Sequence, residues 1–202
     1  MSAETRQAIL DAAIDQISRS GEASVRLRDI AKIVGVKEPS IYYYFANREE
    51  LVVAAHVRRF EINLSQTLQP FIELLAQCST SAEFVDGLKG LYQASFSPVR
   101  TISRAARAEI VGGAYLRPDL QRELSAMAQS MFQPALELMN KAKVAGWIRP
   151  SLDIEAFIYW NLAAITGLLF PEVLANEKLL DTYHGLLIES VVSMVRGVDE
   201  DH

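Results

Sequence analysis

Residues 26–51, RLRDIAKIVGVKEPSIYYYFANREEL, constrain the fold of this chain more than any other stretch. Leu27, Ile30, Ala31 and Val34 recur at helical spacing and give a short helix with one narrow apolar face. Gly35 reaches the left-handed backbone region without steric cost, so it ends that helix in a tight turn that Val36 plugs. From Lys37 a second short helix begins, with Pro39 in its first turn, where the amide that proline lacks has no intrahelical partner. Ile41 and Phe45, four apart, share a face of that helix and are its expected buried anchors. Tyr42, Tyr43 and Tyr44 sweep too much of the circumference to be buried together, so at least one or two must show their hydroxyls to solvent or a ligand. Asn47 and Glu50 stand at the spacing of a cap that opens a third helix at Arg48.

A helix, a glycine turn and a second helix is the layout of a helix-turn-helix, whose second helix enters the DNA major groove. The series Gly35-Val36-x-x-x-Ser40-Ile41-Tyr42-x-Tyr44-Phe45-x-Asn47-Arg48-Glu49-Glu50-Leu51, preceded by Asp29-Ile30-Ala31, resembles the DNA-binding signature of the tetracycline-repressor (TetR) family. Thr5-Arg6-Gln7-Ala8-Ile9-Leu10-Asp11-Ala12-Ala13 is similar to that family's first helix. The resemblance covers roughly the first quarter of the chain; the rest matches in length and helical character alone. It implies an all-α fold, with a three-helix helix-turn-helix DNA-binding domain over 1–47 and a helical effector-binding and dimerisation domain over 48–202. The chain departs from the pattern at Arg26, where the family usually has a capping Ser or Thr, and Ser24 is the expected substitute cap.

With 202 residues, half of them apolar, the chain can pack a core without staples. Its single cysteine, Cys78, excludes an intrachain disulfide and reads as a small buried apolar residue suited to a reducing cytoplasm. The charged N-terminus lacks the pattern of a signal peptide, and no stretch is expected to approach the ~20 apolar residues of a membrane span. A net charge of −5 is unusual for a DNA binder. The acidity lies beyond Arg48, since residues 1–48 hold seven Lys and Arg against six Asp and Glu. So weak a positive field implies modest non-specific affinity, with specificity left to geometry and to two subunits on one site.

The chain then reads as a series of helices. Residues 3–19 form an amphipathic helix with Ile9, Ala13 and Ile17 on one face, closed by Gly21. The helix from Arg48 runs towards Pro70, apolar character continues to a turn at Ser79-Thr80-Ser81, and Ser81 is the expected cap of the next helix, which Pro98 ends. A further piece carries Ile102, Ala105, Ala106 and Ile110 before Gly112-Gly113. Residues 119–145 are a long helix interrupted by Pro134, and Asp153 caps the helix that follows. Segments 154–170 and 177–196 end the chain ahead of an acidic tail from Gly197 to His202 that is expected to fray. Apolar residues cover well over half the circumference of 177–196, so it is either central in its own domain or meets a partner with its second face. The resemblance implies the latter: a four-helix bundle formed with a second subunit.

Side-chain chemistry sorts the DNA-facing candidates. Lys37 reaches guanine acceptors or phosphate, Ser40 is short enough for a base edge, and Tyr42 and Tyr43 can donate hydroxyls to phosphate oxygens. Arg28 and Arg48 stand at helix starts that favour phosphate. Tyr44 is open between phosphate contact and packing. Glu38 is open between serving the helix dipole and accepting from cytosine. Arg6 is open between the DNA backbone and solvent. No catalytic set, metal-ligand pair or phosphate-binding glycine loop is present, so neither an enzyme nor a cofactor is expected. His56 reads as a packed histidine. The resemblance implies a cavity among the middle helices, for which Arg104, Arg107, Met127, Met131, Trp147, Trp160 and Asn161 are candidates. Arg104 and Arg107, three apart, can together receive an acidic ligand, against the commoner case of two solvated arginines.

The expected function is that of a sequence-specific, homodimeric transcriptional regulator in the cytoplasm, a repressor released from a palindromic operator in double-stranded DNA by a small-molecule effector. Two alternatives stay open: a corepressor-dependent or activating regulator, and a helical ligand- or partner-binding module that does not bind DNA.

Overall fold

The computed structural model describes residues 2–174 and 177–196; the acidic tail, with His202, lies outside the described residues. Among the described residues every regular element is helical. These are α1 (Ala3–Ser20), α2 (Leu27–Val34), α3 (Glu38–Tyr42), α4 (Arg48–Gln77), α5 (Ser81–Ser95), α6 (Thr101–Ala114), α7 (Pro118–Val144), α8 (Ile154–Gly167), α9 (Leu169–Leu174) and α10 (Glu177–Arg196), with 3₁₀ turns at Glu22–Ser24 and Pro98–Arg100. The expected all-α class is the one observed.

Two compact units divide the chain: one runs up to Ile62 and takes in Gly113–Met127, the other holds Asn63–Gly112 and everything from Ala128 onward. The first unit is thus wider than the 1–47 read from the sequence, because the opening turns of α4 and the start of α7 share its packing. Leu51, Val52 and Ala55 of α4 join Ile9, Ala13 and Ile17 of α1, Ile30 of α2, and Ile41 and Phe45 in one buried cluster. Ser2 caps α1 by accepting from the Thr5 amide, and Gly21 (φ 78°) ends it. Gly35 ends α2 in the left-handed region (φ 74°, ψ 27°), where its amide and that of Val36 donate back to the last turn of the helix. Asn47 Oδ1 accepts from the Glu50 amide, and Glu50 Oε2 accepts in return from Ala46, so α4 opens with the reciprocal cap that was expected.

Several expectations are corrected. Ser24 does not cap α2; its hydroxyl donates to the Gly21 and Gln16 carbonyls, and Arg26 stands at the N-cap of α2 with no side-chain cap bond. Pro70 does not end α4, which continues to Gln77 because the helix tolerates one missing amide where packing holds both sides. Thr80, not Ser81, caps α5: its hydroxyl oxygen accepts from the Glu83 amide while Glu83 accepts from Ser79. On α6 the inward face is not that of Ile102, which is exposed, but that of Arg104, Arg107 and Ile110. Segment 154–170 is not one helix, since α8 ends at Gly167 and α9 starts at Leu169. Asp153 caps α8 as expected, accepting from Ala156.

In the second unit, Leu64, Leu68, Phe84, Leu88, Tyr92, Phe132, Met139, Phe157, Ile158, Val191 and Val195 are buried. Gly87 lets α5 approach α4 closely, because a Cβ there would overlap the Leu74 side chain. The stretch Ile154–Leu174 is long and apolar enough by composition to cross a membrane, contrary to the expectation that no stretch comes near that limit. Only 22% of its most apolar window is buried.

Replacing Phe45, which is 1% exposed, with alanine is expected to destabilise the first unit by about 3–5 kcal/mol. Urea unfolding followed by circular dichroism measures this.

Candidate functional site

The helix-turn-helix face is built on a helix too short to stand alone. α3 has five residues, with Pro39 in its first turn, and its register is fixed by Ile41 and Phe45 beneath it. The Tyr44 and Phe45 amides donate to the Ile41 carbonyl at 2.9 and 3.0 Å, so the chain turns tightly out of α3 at Tyr43. With Ile41 facing inward, Tyr42 and Tyr43 are left 50% and 69% exposed, and Lys37 and Arg28 stand in solvent with them. Ser40 and Glu38 are half-buried on the same short helix.

Two candidates are placed otherwise. The Tyr44 hydroxyl donates to the Ser2 carbonyl at 3.1 Å, and its ring meets Tyr43 edge to face, so packing occupies it. The Arg48 guanidinium donates from Nε to the Val25 carbonyl at 3.0 Å and from Nη2 to the Glu22 carbonyl. Arg48 therefore ties the 3₁₀ turn to the start of α4 instead of reaching out as a free phosphate contact. Arg6 lies over the Phe45 ring at 5.0 Å, a cation–π contact that holds it on the protein.

The sequence reading missed a cluster around Glu22. Its carboxylate takes His56 Nε2 at 3.0 Å and Arg117 Nη1 at 2.8 Å, while Arg117 Nη2 also pairs with Glu49. His56 is buried, as expected of a packed histidine. Burial alone would raise the Glu22 pKa, but the hydrogen bond from His56 and the Arg117 charge outweigh it and hold the carboxyl below its ordinary range. No periodicity links residues 22, 56 and 117, so only folding brings them together.

Within the second unit a cavity of about 160 Å³ is lined by α4, α5, α6, α7 and α8. Arg104, Arg107 and Asn161 of the expected set line it; Met131, Trp147 and Trp160 do not, and Met127 belongs to the first unit. Arg104 is fully buried and satisfied. It pairs with Glu172 and donates to the Ser95 carbonyl at 2.6 Å and the Thr101 hydroxyl at 3.0 Å. Arg107, 3% exposed, donates from Nη1 to the Thr67 hydroxyl at 2.7 Å and, among the described residues, has no carboxylate beside it. Burial, with Arg104 and Arg100 nearby, pushes its pKa down to about 10. The expectation of two solvated arginines is thus corrected. The Tyr92 hydroxyl donates to Asn161 Oδ1 and, being buried, is pushed well above its ordinary pKa.

A family model described as bacterial regulatory proteins, tetR family, matches residues 9–55, the stretch that forms this face. The transcriptional regulator RutR of Escherichia coli O157:H7 is 29% identical over 92% of this chain and 90% of its own length. Both comparisons make the chain similar to the tetR family of bacterial regulatory proteins. TtgR of Pseudomonas putida is 36% identical over 42% of the chain and 36% of its own length. For the fold, GusR of Salmonella enterica superimposes with a TM-score of 0.68 at 20% identity over 96% of both chains. A Rhodococcus regulator does so with 0.67 at 19% identity, over 96% of this chain and all of its own. By these matches the chain is a DNA-binding transcriptional regulator.

Because the Glu22 carboxyl titrates lower in this TetR-family fold than in the unfolded chain, the stability it contributes is complete above the ordinary value of 4.5. That contribution is lost as pH falls through the lowered folded value. Glu22→Gln is expected to lower the melting temperature at neutral pH, with the gap to the parent protein closing on acidification below 4.5. A melting series across pH checks it.

Proposed function

We propose that this regulator is a homodimeric repressor that acts in the cytoplasm and leaves a palindromic operator when a small molecule enters the cavity of the second unit. The observation that carries the reading is the exposure of Tyr42 and Tyr43 beside Lys37 on a short helix whose other face is anchored by Ile41. In this proposal Lys37, Ser40 and Tyr42 touch the major groove and its flanking phosphates, Tyr43 and Arg28 add phosphate contacts, and Glu38 supports the helix start. Phosphate contacts position the helix, while base edges supply sequence discrimination.

Dimerisation rests on the apolar surface that α8, α9 and α10 expose. Tyr159, Phe170, Val173 and Leu186 are open in the single chain, and a solvated helix does not gain from so broad an apolar face. A twofold dimer would repeat the tyrosine face on a second subunit, and a palindromic site needs two such faces about one DNA turn apart, ~34 Å. The effector acts by favouring a separation of the two faces that no longer fits adjacent grooves. The TetR-family matches support the DNA-binding part; the cavity and the exposed helices support the rest.

Selecting bound duplexes from a random pool is expected to return an inverted repeat with strongly salt-dependent affinity. Against that operator, Lys37→Ala is expected to weaken binding roughly tenfold with a shallower salt slope, and Tyr42→Phe by several-fold, both with an unchanged melting temperature. Unaltered affinity in both variants would remove the site assignment. Leu186→Asp is expected to give a monomer by light scattering and to lose most operator affinity.

A further inference from the structure

We propose that the effector is a small organic monoanion, a carboxylate carried on one apolar ring or a short branched chain, whose head is taken by Arg107. The inference rests on the reading of the cavity as an effector site and adds the chemical class of the occupant.

Arg100, Arg104 and Arg107 line the cavity, and among the described residues no Asp or Glu does. The three are not equivalent. Arg104 is neutralised by Glu172 and holds the end of α5 through the Ser95 carbonyl, so its charge belongs to the fold. Arg100 donates to the Gln66 carbonyl at 3.2 Å and is only half-buried. Arg107 is buried and charged, its hydrogen bonds go only to the neutral oxygens of Thr67 and Asn63, and its Nε has no partner. A buried charge with no counter-charge is costly, and a free guanidinium edge is shaped for the two oxygens of a carboxylate. Thr67 holds Nη1 in place, and a carboxylate would meet the Arg107 guanidinium from the cavity it lines.

The remainder of the cavity sets the body of the ligand. Leu64, Leu68, Leu88, Phe132, Ile158 and Ile165 supply an apolar wall. The Asn161 amide is taken up by the Tyr92 hydroxyl and the Phe157 carbonyl. One uncompensated charge facing apolar walls fits one acidic head on an apolar body. A volume of about 160 Å³ matches a single ring, since a cavity of about 150 Å³ holds one benzene. An inorganic anion would satisfy Arg107 and leave the walls empty.

Calorimetric titration of the full chain with benzoate, phenylacetate and salicylate, each beside its primary amide, tests the inference. The carboxylates are expected to bind at least about tenfold tighter than the amides. Arg107→Met is expected to abolish that preference while melting no lower than the parent protein, because it removes an unpaired buried charge. Thr67→Val keeps the charge but frees the guanidinium, and is expected to reduce the preference several-fold; it decides the matter if Arg107→Met does not fold. Equal binding of acids and amides, no binding by any acid, or a preference that survives both substitutions would overturn the inference. Operator release is read separately with the same compounds. Release by the amides alone would keep the effector reading and overturn the anion site. Binding of the acids without any change in operator affinity would keep the anion site and remove the effector role.

Discussion

The second helix of the helix-turn-helix, α3, has five residues, and a helix of that length has no stability of its own, since nucleation costs more than one turn of hydrogen bonds returns. Its shape is therefore imposed from below. Ile41 and Phe45 are sunk into a core made by α1, α2 and α4, and the left-handed Gly35 sets the angle at which α3 leaves α2. Once those anchors are seated, Tyr42 and Tyr43 are turned outward, while Tyr44 packs against the core. The exposure of Tyr42 and Tyr43 is thus a consequence of packing, and the proposed recognition surface inherits the rigidity of the core under it. The same economy explains Arg48 and Tyr44: both look like DNA contacts by type, and both are spent on holding turns and the N-terminus against that core.

The second unit is organised by buried charge. α6 presents arginines inward where a helix of its hydropathy would ordinarily present aliphatics, and one of them, Arg104, is met by Glu172 from α9. That pair stabilises little by itself, because desolvating both partners offsets most of their attraction. Its effect is to fix which face of α6 points inward. Arg107 follows one turn later by helical geometry, buried without an acid of its own. A group held in so costly a state is the one that the proposed carboxylate would pair with.

Much of the first unit was legible because its constraints are local. Gly35, Pro39 and the Asn47–Glu50 cap act within a few residues, and the apolar spacing of α1 and α2 names the buried face directly. The boundaries and caps that went astray did so where a neighbour decided. Ser24 was drawn off by the Gly21 carbonyl, and Pro70 was tolerated because packing on both sides holds α4 together. The cavity candidates chosen for aromatic or thioether character, Met131, Trp147 and Trp160, lie outside its lining, while Thr67 and Tyr92, unremarkable in sequence, stand within it.

The sequence by itself determined the helical class, the turn at Gly35, the inward anchors Ile41 and Phe45, and hence the family to which the N-terminal face belongs, all through interactions spanning a few residues. Only the tertiary structure decided which arginines are buried, that Glu22 gathers His56 and Arg117, and which side chains surround the cavity. Those outcomes join residues tens of positions apart, and helical periodicity reports which side chains share a face without saying what that face will meet.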